Sequence, residues 1–165
     1  MSHARSGAPR VRLRNLREGL EYLGRLGPVS GRAAEEPWTF PQVLVHCAQS
    51  IEYSLTGYPK PRNALVQATV GRMAKHHFLG RGALSHDRTA PIPGAPEIPA
   101  HVTRAEALAR LTRAVDQFEA FAGPYAPHFT FGSASKAEYE LLHAFHLADH
   151  LSAFPAAAES QHVQA

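Results

Sequence analysis

Ser135-Lys136-Ala137-Glu138-Tyr139-Glu140-Leu141-Leu142-His143-Ala144-Phe145-His146-Leu147-Ala148-Asp149-His150-Leu151 reads as one amphipathic helix with a marked beginning. Ser135 followed three residues later by Glu138 is the capping-box pattern, in which each side chain satisfies a backbone N–H left over at a helix start. The three histidines fall on one face, because residues three and four apart project the same way. His146 and His150 stand one turn apart, about 6 Å of rise, close enough to share a metal ion.

The same grammar repeats upstream. Thr103-Arg104-Ala105-Glu106 is a second capping box, and Ala107, Leu108, Leu111, Val115 and Phe118 follow at helical spacing as far as Phe121. Val11, Leu13, Leu16, Leu20, Leu23 and Leu26 predict a first helix over 11–26, stopped by Gly27-Pro28. Thr39 as N-cap and Pro41 in the first turn open another that runs to about Thr56, with Val43, Leu44, Cys47, Ile51 and Leu55 as its apolar stripe. A third, from about Asn63 to Phe78, turns Leu65, Val66, Val70 and Met73 inward, although Thr69-Val70-Gly71 weakens its middle. Gly31 to Pro37 reads as a polar loop. From Gly80 to Ala100, Pro91, Pro93, Pro96 and Pro99 with two glycines rule out helix and predict a long loop, to which no chemistry is assigned. Five helical segments without a strand pattern predict an all-α, up-and-down helical bundle. One domain is expected over 10–154, with flexible ends at 1–9 and 155–165.

Composition sets the outer limits. Of 165 residues 44% are hydrophobic and 19% charged, a globular balance rather than a disordered one. The net charge of +3 reflects Arg5, Arg10, Arg12, Arg14 and Arg17, which interleave with leucines and lack any groove-reading motif. Nucleic acid is therefore disfavoured as a partner. A single cysteine excludes an internal disulfide framework. No apolar run has membrane-spanning length or signal-peptide form, so a cytoplasmic location and no membrane partner are expected. Phosphate-cradling glycine loops, a serine-hydrolase elbow and a Cys-x-x-Cys pair are all missing from the sequence.

A helical bundle builds metal sites from side chains on facing helices. His46 is the histidine inside the second helix, bordering its apolar stripe, and so is the natural companion for His146 and His150. An i, i+4 pair alone supplies only two ligands, and two hydrogen-bonded helix histidines remain the competing reading. His143 reads either as a residue that supports the site from behind or as plain helix surface. Asp149 reads either as a carboxylate that orients a ligand imidazole or as a solvated aspartate. Gln49 and Tyr53 lie one and two turns beyond His46, where they meet the pocket or a bundle partner. Cys47 points about 100° away from His46 and reads as core. His76, His77, His86 and His101 read as surface or capping histidines, and His128, in the apolar Pro127–Gly132 loop, is the loop histidine most suited to a pocket.

Three stretches together resemble the DinB-like, or YfiT-like, superfamily, in a branch catalogued as a domain of unknown function. They are Trp38 to Ser54 with His46, Pro127-His128-Phe129-Thr130-Phe131-Gly132, and Leu142 to Leu151 with His146 and His150. The resemblance implies a four-helix bundle core with an additional short helix, and a divalent metal, zinc or nickel, held by His46, His146 and His150. It also implies chemistry with low-molecular-weight thiols, such as thiol S-transfer or a mycothiol-dependent isomerisation, and pairing into homodimers. The expected function is thus a metal-dependent transferase or isomerase. The alternative is a non-catalytic metal-binding, ligand-binding or interaction bundle.

Overall fold

The computed structural model describes residues 10–29 and 37–154. The expected flexible ends at 1–9 and 155–165, and most of the loop from Gly31, lie outside the described residues. Five helical segments follow one another: α1 (Leu16–Arg25), α2 (Phe40–Thr56), a three-part segment, α5 (Arg104–Ala120) and α6 (Lys136–Leu151). The three-part segment is α3 (Ala64–Val66), a π turn (Gln67–Gly71) and α4 (Arg72–Arg81). Among the described residues there is no strand, only an isolated antiparallel bridge between His128 and Gly132.

α2 lies against α5 and α6, α1 lies against α6 and α5, and α4 reaches α6. Between them sit Leu16 and Leu23 of α1, Phe40, Leu44 and Ile51 of α2, Leu111 and Phe118 of α5, and Tyr139, Leu147 and Leu151 of α6, all essentially inaccessible. Each such side chain contributes about 1.5–3 kcal/mol on burial, which makes this apolar seam the main reason the helices pack as they do. Both capping boxes form: Ser135 N–H donates to Glu138 Oε2 at 2.9 Å and Thr103 N–H to Glu106 Oε2 at 2.8 Å. Arg110 grips the Glu52 carboxylate with two bonds of 2.9 and 2.7 Å, tying α5 to α2.

Two sequence expectations need correction. The first helix begins at Leu16, not Val11, because Asn15 accepts the Glu18 N–H and Glu140 of α6 accepts the Leu16 N–H at 2.9 Å. The start is fixed by a partner helix rather than by the leucine period. In the third segment, Leu65, Val66, Val70 and Met73 face outward, with Leu65 and Met73 each 73% exposed. Gln67, Gly71 and Lys75 take the inner face instead. Gln67 Nε2 donates to the His128 and Phe129 carbonyls, and the Lys75 ammonium donates to Ser133 O at 2.8 Å and to Glu138 Oε2 at 3.0 Å. Gly71 lies so close to Thr130 that a Cβ there would stand 2.1 Å from its carbonyl oxygen. These bonds and this close approach orient the helix against its own apolar pattern.

Residues 82–103, between α4 and α5, form neither helix nor strand. Gln49 of α2 holds this connection through a 3.4 Å bond to the Pro96 carbonyl. Its path brings His86 and Arg88 to α6.

Candidate metal centre and adjoining cavity

The α2–α6 contact places His46 opposite His146 and His150, with ring centroids 5.0 Å apart in both pairs. His146 and His150, one turn apart on α6, have centroids 4.8 Å apart. His86 completes the group from the connection, 4.8 Å from the His146 ring and 5.0 Å from that of His150. One ring nitrogen from each of the four lies within 4.8 Å of all the others. Trp38 covers the outer side, its ring 4.6 Å from His46.

The electrostatics suit a cation. Burial pushes the His46 imidazole down to about 3, and the neighbouring His86 ring reinforces the shift. Burial also drives His146 and His150 well below the ordinary histidine value, with the surrounding imidazoles adding to it. These rings are therefore neutral at pH 7 and keep the lone pairs that a metal needs. A carboxylate backs the fourth ring: His86 Nδ1 lies 3.1 Å from Asp149 Oδ2, with the Arg88 guanidinium 3.9 Å from the other carboxylate oxygen. That carboxylate stands behind the ring without a formed hydrogen bond to Nδ1, while His86 Nε2 faces the cluster. His86 Nε2 and His150 Nε2 are 3.2 Å apart. Two imidazoles on one tetrahedral zinc, with bonds of about 2.0–2.1 Å, have nitrogens about 3.3–3.4 Å apart. The donor set, the neutrality of three of its rings and this spacing all fit a divalent ion.

His46, His86 and His146 also form part of the wall of a partly open cavity of about 390 Å³. The rest of the wall is mainly apolar, from Ala74 and Phe78 of α4, Leu84 and Ile92 of the connection, Phe129 and Phe131 of the 128–132 turn, and Leu142 of α6. Such a volume falls within the range of small-molecule sites.

Of the residues singled out in the sequence, His46, His146 and His150 converge. Asp149 backs His86 rather than one of those three. His143 and His128 line the cavity away from the four-histidine group. Burial holds both at about 3, each the other's near neighbour. Gln49 holds the connection and lies beside His46 and Trp38 on a second recess. Tyr53 does not line the cavity and instead packs its ring against Tyr58, because α2 turns that position toward the start of the following connection. The residue that sequence reasoning missed is His86, taken for an ordinary loop histidine. A connection without a hydrophobic period carries no sign of where its side chains go.

Residues 10–156 match the family described as a protein of unknown function (DUF1569), and the chain belongs to that family. No curated protein and no solved structure matches it. No helix among the described residues is long and apolar enough to cross a membrane.

Proposed function

We propose that this chain is a DinB-like metalloenzyme that binds one zinc or nickel ion through His46, His146 and His150, with His86 as a further donor, and works as a thiol-dependent transferase or isomerase. The observation that carries the reading is the convergence of four imidazoles, three of them held neutral by burial, with His46, His86 and His146 on the wall of a cavity of ligand size. Imidazole donors suit zinc and nickel. The ring of contacts α1–α5–α2–α6–α1 supports a four-helix core around the site. Held there, a divalent ion supplies a Lewis acid that acidifies a thiol or water and polarises a carbonyl oxygen. The chain's own contribution is positional. α2 and α6 fix three imidazoles from rigid elements, the Asp149 carboxylate stands against the outer nitrogen of His86, and the apolar wall keeps bulk water from the reacting group.

A second reading, a structural metal in a non-catalytic bundle, has one observation in its favour: four donors are enough to close a tetrahedral shell. Calorimetric titration of the untagged, chelator-stripped chain with zinc tests the metal itself. One ion per chain is expected, with Kd below about 1 μM, and His146→Ala should weaken it at least about 100-fold. Equal binding by His146→Ala overturns the site. The cobalt-loaded chain separates the two readings. An added small thiol shifts its visible spectrum if a position is open and leaves it unchanged if four imidazoles close the shell.

A further inference from the structure

The cavity has a second polar feature besides the histidine cluster. His128 sits in a tight turn closed by reciprocal backbone bonds with Gly132, 2.8 and 3.0 Å long, where Gly132 takes a φ of +74° that suits glycine. Its ring stands 4.5 Å from the rings of both Phe129 and Phe131. Its Nδ1 accepts two backbone N–H groups, from Thr130 at 3.1 Å and Phe131 at 3.2 Å. An imidazole nitrogen that accepts twice carries no proton, so the proton is on Nε2, and this ring is a donor of fixed direction.

His143 stands beside it on α6. Its ring stacks on Tyr139 at 5.2 Å and meets Phe118 edge-on at 5.6 Å. His143 is 4% exposed, and its Nε2 is buried with no hydrogen-bond partner among the described residues. Buried polar groups almost always have partners, and the His143 ring, which lines the cavity, has no hydrogen-bond partner at its Nε2, which marks the place of a ligand group beside it.

We propose that His128 and His143 form a hydrogen-bonding subsite for an uncharged oxygen, the carbonyl or hydroxyl of a small, mainly hydrocarbon or aromatic molecule whose body fills the cavity. His128 Nε2–H donates to that oxygen. His143, through the ring edge that lines the cavity, either donates as well or accepts a hydroxyl proton. Two neutral rings cannot compensate a desolvated carboxylate or phosphate, so the subsite selects against anions. Among the described residues the only carboxylate on the wall, Asp87, is already engaged by the Thr89 N–H and hydroxyl at 2.9 and 2.5 Å. Arg62, the one arginine on the wall, is solvent-exposed and so lies at its rim. This assignment extends the reading above by naming the ligand class for the same cavity, but its geometry uses none of the four clustered histidines.

Three probes of one shape test it: acetophenone, its hydrocarbon isostere α-methylstyrene, and benzoate. Binding to the full chain is measured by ligand-detected NMR, as purified and again in chelator. The chelated arm keeps the result independent of the metal. In chelator, acetophenone should bind about 5- to 10-fold more tightly than either analogue, the value of one or two neutral hydrogen bonds, and as purified it should keep that preference over α-methylstyrene, since a bound cation offers benzoate a separate ligand site. His128→Asn retains an oxygen acceptor for the Thr130 and Phe131 N–H groups while removing the Nε2 donor, and should abolish most of that preference. His143→Leu should do the same, and should also raise the Tm of the ligand-free chain by removing a partnerless buried nitrogen. A purely structural histidine would lower Tm on replacement. Failure of acetophenone to bind, binding in chelator without preference over its analogues, a preference that survives both variants, or a lower Tm for His143→Leu each overturns the assignment. Loss of metal binding with the acetophenone preference intact would count against the metalloenzyme reading alone.

Discussion

Acidification from pH 7.5 to 5.5 should destabilise this fold steeply, and His128 and His143 allow the loss to be worked out. Burial holds both imidazoles at about 3 in the folded chain, from an ordinary value of 6.5. A histidine whose folded value is depressed contributes stability above its unfolded value and loses it as the pH falls, because only the unfolded chain takes up the proton. At pH 7.5 neither state is appreciably protonated. At pH 5.5 the unfolded ring is about nine-tenths protonated while the folded ring stays neutral, which costs about 1.4 kcal/mol per histidine and about 2.7 kcal/mol for the pair. The loss begins near pH 6.5 and would level off only as the pH approached the folded value. His46, His146 and His150 add to it in the same direction when no metal holds them. Urea denaturation followed by circular dichroism, in chelator at both pH values, measures the total. The His128→Asn, His143→Leu double variant should lose about 2.7 kcal/mol less than the wild type over this range. A double variant with the wild-type pH slope, to within about 0.5 kcal/mol, would show that these two rings are not neutral and buried as described.

Two further outcomes are expected. Asp149→Asn should weaken zinc about 10- to 100-fold by removing the carboxylate behind His86, as competition with a chromophoric chelator would show; unchanged affinity would mean that His86 does not bind the ion. Gly71→Ala should destabilise by about 1–3 kcal/mol because its new methyl meets Thr130 O, while Leu65→Ser stays within about 0.5 kcal/mol, and urea midpoints in the reverse order would place that helix the other way round.

What the sequence revealed and what it concealed divide along the range of the interactions involved. α5 and α6 were legible because their starts are written locally: Thr103 with Glu106, and Ser135 with Glu138, lie three residues apart and satisfy each other whatever the rest of the chain does. The His146–His150 pair was legible for the same reason, since helical spacing alone aligns it. His46 needed one tertiary step, the pairing of α2 with α6, and the apolar stripe beside it pointed that way.

The rest depended on partners far along the chain. Leu65, Val66, Val70 and Met73 have the spacing of a buried face, yet the rotation of that helix is set by Gly71 against Thr130 and by Lys75 against Ser133 and Glu138, some sixty residues away. A lysine with two acceptors and a glycine in backbone contact have only one compatible orientation, and the apolar side chains on the opposite face are left to water as its consequence. His86 is the stricter case. It reaches His150 across 64 residues, from a connection with no helical or strand period, and its neighbours Ser85 and Asp87 give no ligand spacing with it. Its ring is placed by Asp149, which lies next to a metal-site histidine in sequence. The sequence therefore contained both halves of the fourth corner, a carboxylate beside His150 and a histidine in the connection, but not the fold that brings them together. Rules based on spacing find ligands that share a helix, while a ligand carried by an irregular connection becomes visible only once the structure gives it a partner.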